Sequence, residues 1–229
     1  MIERILLAIL LAAQPALGED AVEGPSAGVA PTCAASATQK VQDRYDGVSD
    51  LSGLFIQQTR SVAFGGASEP VAASGRVLFA KPGRMRWDYE KPEPSLVVSD
   101  GAVLWIYDPV AGEAQKLTVD AGYLSGAAIQ FLIGDGKILD SFEVAARECT
   151  EARAELELRP REASTYEQID LVVDLATGWI LATTVHDLFG NQTEVAFSEL
   201  RANEGAPAER FQFDPPEGVR VLSLEAPTP

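Results

Sequence analysis

Residues 75–108 read GRVLFAKPGRMRWDYEKPEPSLVVSDGAVLWIYD, and the architecture follows from how they alternate. Met85, Trp87 and Tyr89 interleave with Arg84, Arg86, Asp88 and Glu90. Successive side chains of a strand point to opposite faces, so this run carries one apolar and one charged face, as a half-buried strand requires. Pro92 and Pro94 then break the pairing. Two more apolar runs, 96–99 and 102–107, meet at Asp100-Gly101, a pair that tolerates the backbone angles of a tight hairpin. The piece reads as antiparallel sheet with a strongly apolar inner surface.

The same pattern extends in both directions. Upstream, Val41, Tyr45, Val48 and Leu51 recur at helical spacing against Gln39, Lys40, Asp43, Arg44 and Asp46, which predicts an amphipathic helix over 34–49. Strands are expected at 51–62 and 71–80, separated by Gly65-Gly66 and Pro70. Downstream of a strand at 113–119, residues 123–133 set Leu124, Ala128, Phe131 and Leu132 on one side of a short helix with almost no polar face. Such a helix must be covered or must itself cover something apolar. Strands follow at 138–147, 154–158, 169–173, 180–185 and 194–200, the last three divided by turns at Thr177-Gly178 and Gly190-Asn191. The fold class expected is mainly β (α+β), with about ten to eleven antiparallel strands and two or three helices. A twisted sheet of that extent curls on itself. Its interior is then either packed solid or left hollow beneath the helices, and periodicity does not choose between the two.

The first residues describe an address. Arg4, an apolar run to Ala13 and the small-residue pattern Ala16-Leu17-Gly18 form a signal peptide over 1–18. The run is shorter than the roughly 20 apolar residues that a membrane helix needs. Glutamate, not cysteine, follows the expected cleavage point, which argues against a lipid anchor. Residues 19–33, rich in Ala, Gly and Pro, are expected to form a flexible leader, and 34–229 a single domain. The formal charge of −16 repels phosphate backbones and anionic membrane faces, so nucleic acid is excluded as a partner, and solubility is the simplest use of that charge. Cys33 and Cys149 are an even pair in an oxidising compartment. Bridged, they would tie the first helix to the sheet and contribute about 4–5 kcal/mol by closing so long a loop; two buried free thiols are the other reading.

Signals for chemistry are weak. Gly24-Pro25-Ser26-Ala27-Gly28 matches the G-x-S-x-G pattern of serine hydrolases but has no strand before it and no helix after it. His186 is the sole histidine and has no Cys or His cluster around it, so neither a metal site nor a cofactor is expected. Asp100, Asp108 and Asp135 sit beside turns, where carboxylates serve turn geometry. Trp87 and Trp105 read first as packing residues. Asn191-Gln192-Thr193, a glycosylation pattern, coincides with a turn. No catalytic set is expected.

Several stretches together resemble the LolA family of periplasmic lipoprotein carriers. They are Gly75, Lys81-Pro82-Gly83-Arg84, Arg86-Trp87, Ser99-Asp100-Gly101 and Leu104-Trp105-Ile106-Tyr107, with Phe55-Ile56-Gln57 upstream and Phe211 to Val219, FQFDPPEGV, downstream. The resemblance implies an incomplete β-barrel with helical lids over an apolar cavity. It also implies a periplasmic role, in which a monomer receives acylated lipoproteins from an inner-membrane ABC exporter and delivers them to an outer-membrane acceptor. On this reading Met85, Trp87, Tyr89, Val97, Leu104 and Ile106 are cavity or core positions, and the 123–133 helix, with Leu124 and Phe131, is the lid. The family's best-known members carry an arginine before the proline that bonds lid carbonyls. Here Lys81 stands there, a donor without the planar fork, and the proline common at the start of the lid is missing. A carrier that shields acyl chains is the leading expectation. The alternatives are a carrier of another lipid or glycolipid, a secreted acyl hydrolase using Ser26, and a structural module with a solid interior.

Overall fold

A computed structural model of the protein describes residues 32–62, 71–118 and 136–224. The expected signal peptide, Ser26, nearly all of the expected leader, the 123–133 helix with Leu124 and Phe131, and Asp135 lie outside the described residues.

The helix α1 (Cys33–Asp46) begins where the Thr32 hydroxyl accepts a hydrogen bond from the Ala35 amide, satisfying one of the donors a helix start leaves free. Ala37, Val41 and Tyr45, one turn apart, are buried. Among the described residues twelve strands follow in a single open sheet. In chain order they are β1 (Asp50–Arg60), β2 (Val71–Ala80), β3 (Arg84–Lys91), β4 (Ser95–Ser99), β5 (Val103–Asp108), β6 (Glu113–Thr118), β7 (Phe142–Cys149), β8 (Arg153–Pro160), β9 (Tyr166–Asp174), β10 (Ile180–Asp187), β11 (Gln192–Ala202) and β12 (Arg220–Leu224). Their order across the sheet is β12-β6-β5-β4-β3-β2-β1-β11-β10-β9-β8-β7. The edge strands β7 and β12 do not pair with each other, so this is an incomplete barrel.

Two details differ from the sequence reading. The segment expected to be strand from 138 begins as a short helix, α2 (Ile138–Ser141), and turns extended only at Phe142. Ile138 is buried and its amide donates to Gln42 Oε1 of α1 at 3.1 Å, a tertiary bond that local periodicity does not register. The second is β12, which pairs in parallel with β6. It is five residues long, too short for a periodic signal, and a parallel partner cannot be adjacent in sequence.

Antiparallel register sorts the loops into two ends. The β2–β3, β4–β5, β7–β8 and β9–β10 turns share one end with the start of β1. The β5–β6 and β10–β11 turns share the other with the close of β1 and the start of β2. Helix α1 is clamped toward the first end. Cys33 is disulfide-bonded to Cys149 at the end of β7, and Lys40 Nζ donates to the Leu175 carbonyl at 2.8 Å. The Arg44 guanidinium lies 4.1 Å over the Trp179 ring, whose edge meets Tyr45 at 5.6 Å. Gly178 permits this approach: its φ is +77°, and a Cβ there would come within 2.6 Å of the Lys40 carbonyl oxygen. Beyond the helix, the Asn203 side chain accepts from the Ser49 amide at 2.8 Å and donates to the Gly47 carbonyl at 2.9 Å.

The outer face of β3–β5 has its own cover. The 3₁₀ turn Ala208–Phe211 and the residues after it run across these strands. Phe211 is fully buried, Arg84 lies over its ring at 5.2 Å, and Phe213 meets Trp105 at 5.6 Å and Tyr107 at 5.0 Å. Leu96 and Val98, which point away from the inner face, are buried as a result. That explains why 96–99 reads as continuously apolar: both faces of β4 are covered.

Candidate functional site

The inner face is built in rows, because residues paired across neighbouring strands point the same way. One row runs Leu51, Phe79, Met85, Ser99, Leu104 and Leu117. The next holds Val77, Trp87, Val97 and Ile106. The third holds Phe197, Phe55, Gly75 and Tyr89. The register therefore brings Met85, Trp87, Tyr89, Val97, Leu104 and Ile106 onto one continuous face. Met85, Trp87 and Leu104 are buried in the main apolar cluster, whereas Tyr89, Val97 and Ile106 are half-buried against it. On the far side of β1, Val195, Phe197 and Val185 are half-buried on the same face.

Trp87 is the centre of an aromatic group. Its ring lies 4.9 Å from Phe55, 5.6 Å from Phe79, 6.2 Å from Phe197 and 6.4 Å from Tyr89. The Phe55 and Phe79 contacts are edge-to-face, the arrangement the ring quadrupole favours. Gly75 makes room for the group. A Cβ there would meet the Asp88 carbonyl oxygen, and the Phe55 ring edge would lie 3.0 Å away. Sequence reading named Trp87 and Tyr89 but not Phe55, Phe79 or Phe197 as inner-face residues; the period-two alternation of β1, β2 and β11 carries that information.

Polar atoms on this face are few and satisfied locally. The Tyr89 hydroxyl donates to Gln57 Oε1 at 3.0 Å, and burial pushes its phenol above the ordinary value. The Ser99 hydroxyl accepts from the Gly101 amide at 3.1 Å. Such a surface can hold hydrocarbon. Lys81 stands where the sheet meets the helix: its Nζ donates to the Tyr45 carbonyl oxygen at 2.9 Å, in the last turn of α1.

The chemical signals of the sequence have structural uses. Asp100 Oδ1 accepts from the Ala102 and Val103 amides, and Asp108 Oδ1 from those of Val110 and Ala111, so both carboxylates brace turns. His186 sits on the outer face, 2.7 Å from Asp170, in a network with Arg147, Glu157, Arg159 and Gln168. Arg147, followed by Arg159, holds the Glu157 carboxyl below its usual range. Among the described residues no group of three His, Cys, Asp or Glu side chains is placed to hold a metal ion.

Comparison with known proteins gives a consistent picture. Residues 46–214 match the family model described as outer membrane lipoprotein carrier protein LolA. An outer-membrane lipoprotein carrier protein of Chromobacterium violaceum is 33% identical over 202 residues, covering 86% of this chain and 93% of its own. One from Bordetella pertussis is 34% identical over 197 residues, covering 85% and 90%. Among solved structures, an uncharacterized conserved protein of Thermus thermophilus aligns over 82% of this chain and 99% of its own, with 13% identity and a TM-score of 0.51, a likeness of fold alone.

Proposed function

The chain belongs to the LolA family of outer membrane lipoprotein carrier proteins, and on that premise we propose that it carries lipoproteins across the periplasm with their acyl chains held against the inner face of the sheet. The observation that supports this most directly is the continuous apolar face of Met85, Trp87, Tyr89, Val97, Leu104 and Ile106, with three of the six only half-buried. Removing acyl methylenes from water contributes about 0.8 kcal/mol each, so an apolar surface of this kind can hold a lipid tail through aqueous space without any chemistry. Cargo would arrive from an inner-membrane ABC exporter and leave to an outer-membrane acceptor. Lys81, whose ammonium donates to the Tyr45 carbonyl of α1, would act as the latch on that helix. Leu124 and Phe131 are assigned to the covering lid on the family resemblance.

The test is to add the purified protein to spheroplasts and ask what leaves the inner membrane. Lipoproteins recovered in a soluble complex with this chain are the expected result. Their retention in the membrane at saturating protein would overturn the proposal.

A further inference from the structure

The large apolar side chains that the described residues leave exposed are unevenly placed. Val62, Val71, Val110, Leu188 and Phe189 belong to the end of the sheet opposite the α1 clamp, while Ile56 lies mid-strand on β1, Leu139 on α2 and Val221 on β12. The β10–β11 turn stands out, with Leu188 63% and Phe189 81% exposed. Leaving adjacent Leu and Phe largely exposed forgoes hydrophobic stabilisation that their burial against a partner would supply.

This turn is also held rigidly. Asp187 Oδ1 accepts from the Phe189 and Asn191 amides at 2.8 Å each, and Oδ2 from Asn191 Nδ2 at 2.7 Å. Backbone bonds join the Asp187 amide to the Asn191 carbonyl and the Gly190 amide to the Asp187 carbonyl. Asn191 Oδ1 accepts from the Ser61 hydroxyl at 2.9 Å and the Val62 amide at 3.1 Å, fastening the tip to the end of β1. Gly190, at φ +85°, takes the backbone angle that the turn needs. A knob that is already ordered loses little entropy on docking.

The charge around it selects the kind of surface that fits. Between His186 and Val195 there is no Lys or Arg, while Asp187 and Glu194 flank the tip, and the whole chain carries −16. The nearest cation in the register is Arg60, opposite Gln192. An apolar tip meant for an anionic bilayer is flanked by cations; this one is flanked by carboxylates. We propose that Leu188 and Phe189 form a docking knob for a protein partner that presents an apolar socket rimmed by basic residues, the partner being the membrane protein that loads or unloads this carrier. The inference rests on the carrier reading and adds the surface by which handover is made.

The mature chain and its Leu188→Asn/Phe189→Ser double variant are compared in two steps, loading from spheroplasts and discharge to purified outer membranes. Thermal midpoint and binding of an apolar fluorescent probe serve as controls and should agree between the two, because neither side chain is buried. The expected result is a loss of at least about tenfold in the rate of one step, the scale of a pair of anchor residues. Equal rates in both steps overturn the proposal. Flotation of the wild type, but not the variant, with phosphatidylethanolamine–phosphatidylglycerol vesicles would make the tip a lipid anchor and overturn it as well. So would a wild-type dimer in sedimentation that the variant abolishes. Failure of the wild type to load would sink the carrier reading itself, and this inference with it.

Discussion

Replacing Lys81 with methionine tests whether the helix latch is real. The substitution keeps the aliphatic stem and removes the ammonium that donates to the Tyr45 carbonyl at 2.9 Å. A hydrogen bond to a charged group contributes about 1.5–3 kcal/mol net, and the half-exposed setting of Lys81 reduces that to about 1–2 kcal/mol. The carbonyl is not orphaned, because the Gly47 and Val48 amides also donate to it, so no burial penalty is added. A loss of that size shifts the equilibrium for opening the last turn of α1 by about 5- to 30-fold. Hydrogen exchange reads this directly: the Gly47 and Val48 amides should exchange faster by that factor. Amides near Cys33 should keep their protection, since the disulfide and the Lys40–Leu175 bond hold the first part of the helix. Lys81→Arg should restore protection, as its guanidinium can reach the same carbonyl. Unchanged exchange at Gly47 and Val48 in the methionine variant would refute the latch.

Three further outcomes follow from the same geometry. Gly75→Ala places a Cβ against the Asp88 carbonyl oxygen and the Phe55 ring, and should destabilise by about 2–4 kcal/mol in urea unfolding; an unmoved midpoint would show that the aromatic group does not depend on this close approach. Removing the disulfide with Cys33→Ala/Cys149→Ala opens a loop of sequence separation 116 and should lower stability by up to about 4–5 kcal/mol, so a shift under about 1 kcal/mol would contradict the clamp. Glu157 is held below its usual range by Arg147 and then Arg159 in the folded state, so its stabilisation is present above the ordinary carboxylate value and is lost as pH falls through the lowered one. Glu157→Gln should therefore flatten the acid limb of the stability curve, and an identical limb would remove Glu157 as its cause.

Much of the fold was legible because strand alternation is a local property. Met85, Trp87 and Tyr89 against Arg86 and Asp88 announce which side of β3 is apolar, and register then aligns Val97 and Ile106 with Trp87. Local reading failed wherever a distant partner decided the conformation. Ile138 is helical because Gln42 accepts its amide, and β12 is a strand because β6 offers an edge. The resemblance at FQFDPPEGV marked a stretch without a role; in the structure Phe211 and Phe213 cover the outer face of β3–β5. Leu188 and Phe189 went unremarked because a turn's exposure is set by what surrounds it.

By itself the sequence determined an acidic, mainly β chain in which most strands carry one apolar face, since composition and side-chain alternation need no knowledge of distant contacts. Tertiary structure alone decided which distant groups meet: the order of strands across the sheet, Lys81 on α1, the strap on the outer face and the apolar tip left bare at the far end. Those depend on chain segments widely separated in sequence arriving at the same place, and no local periodicity encodes that distance.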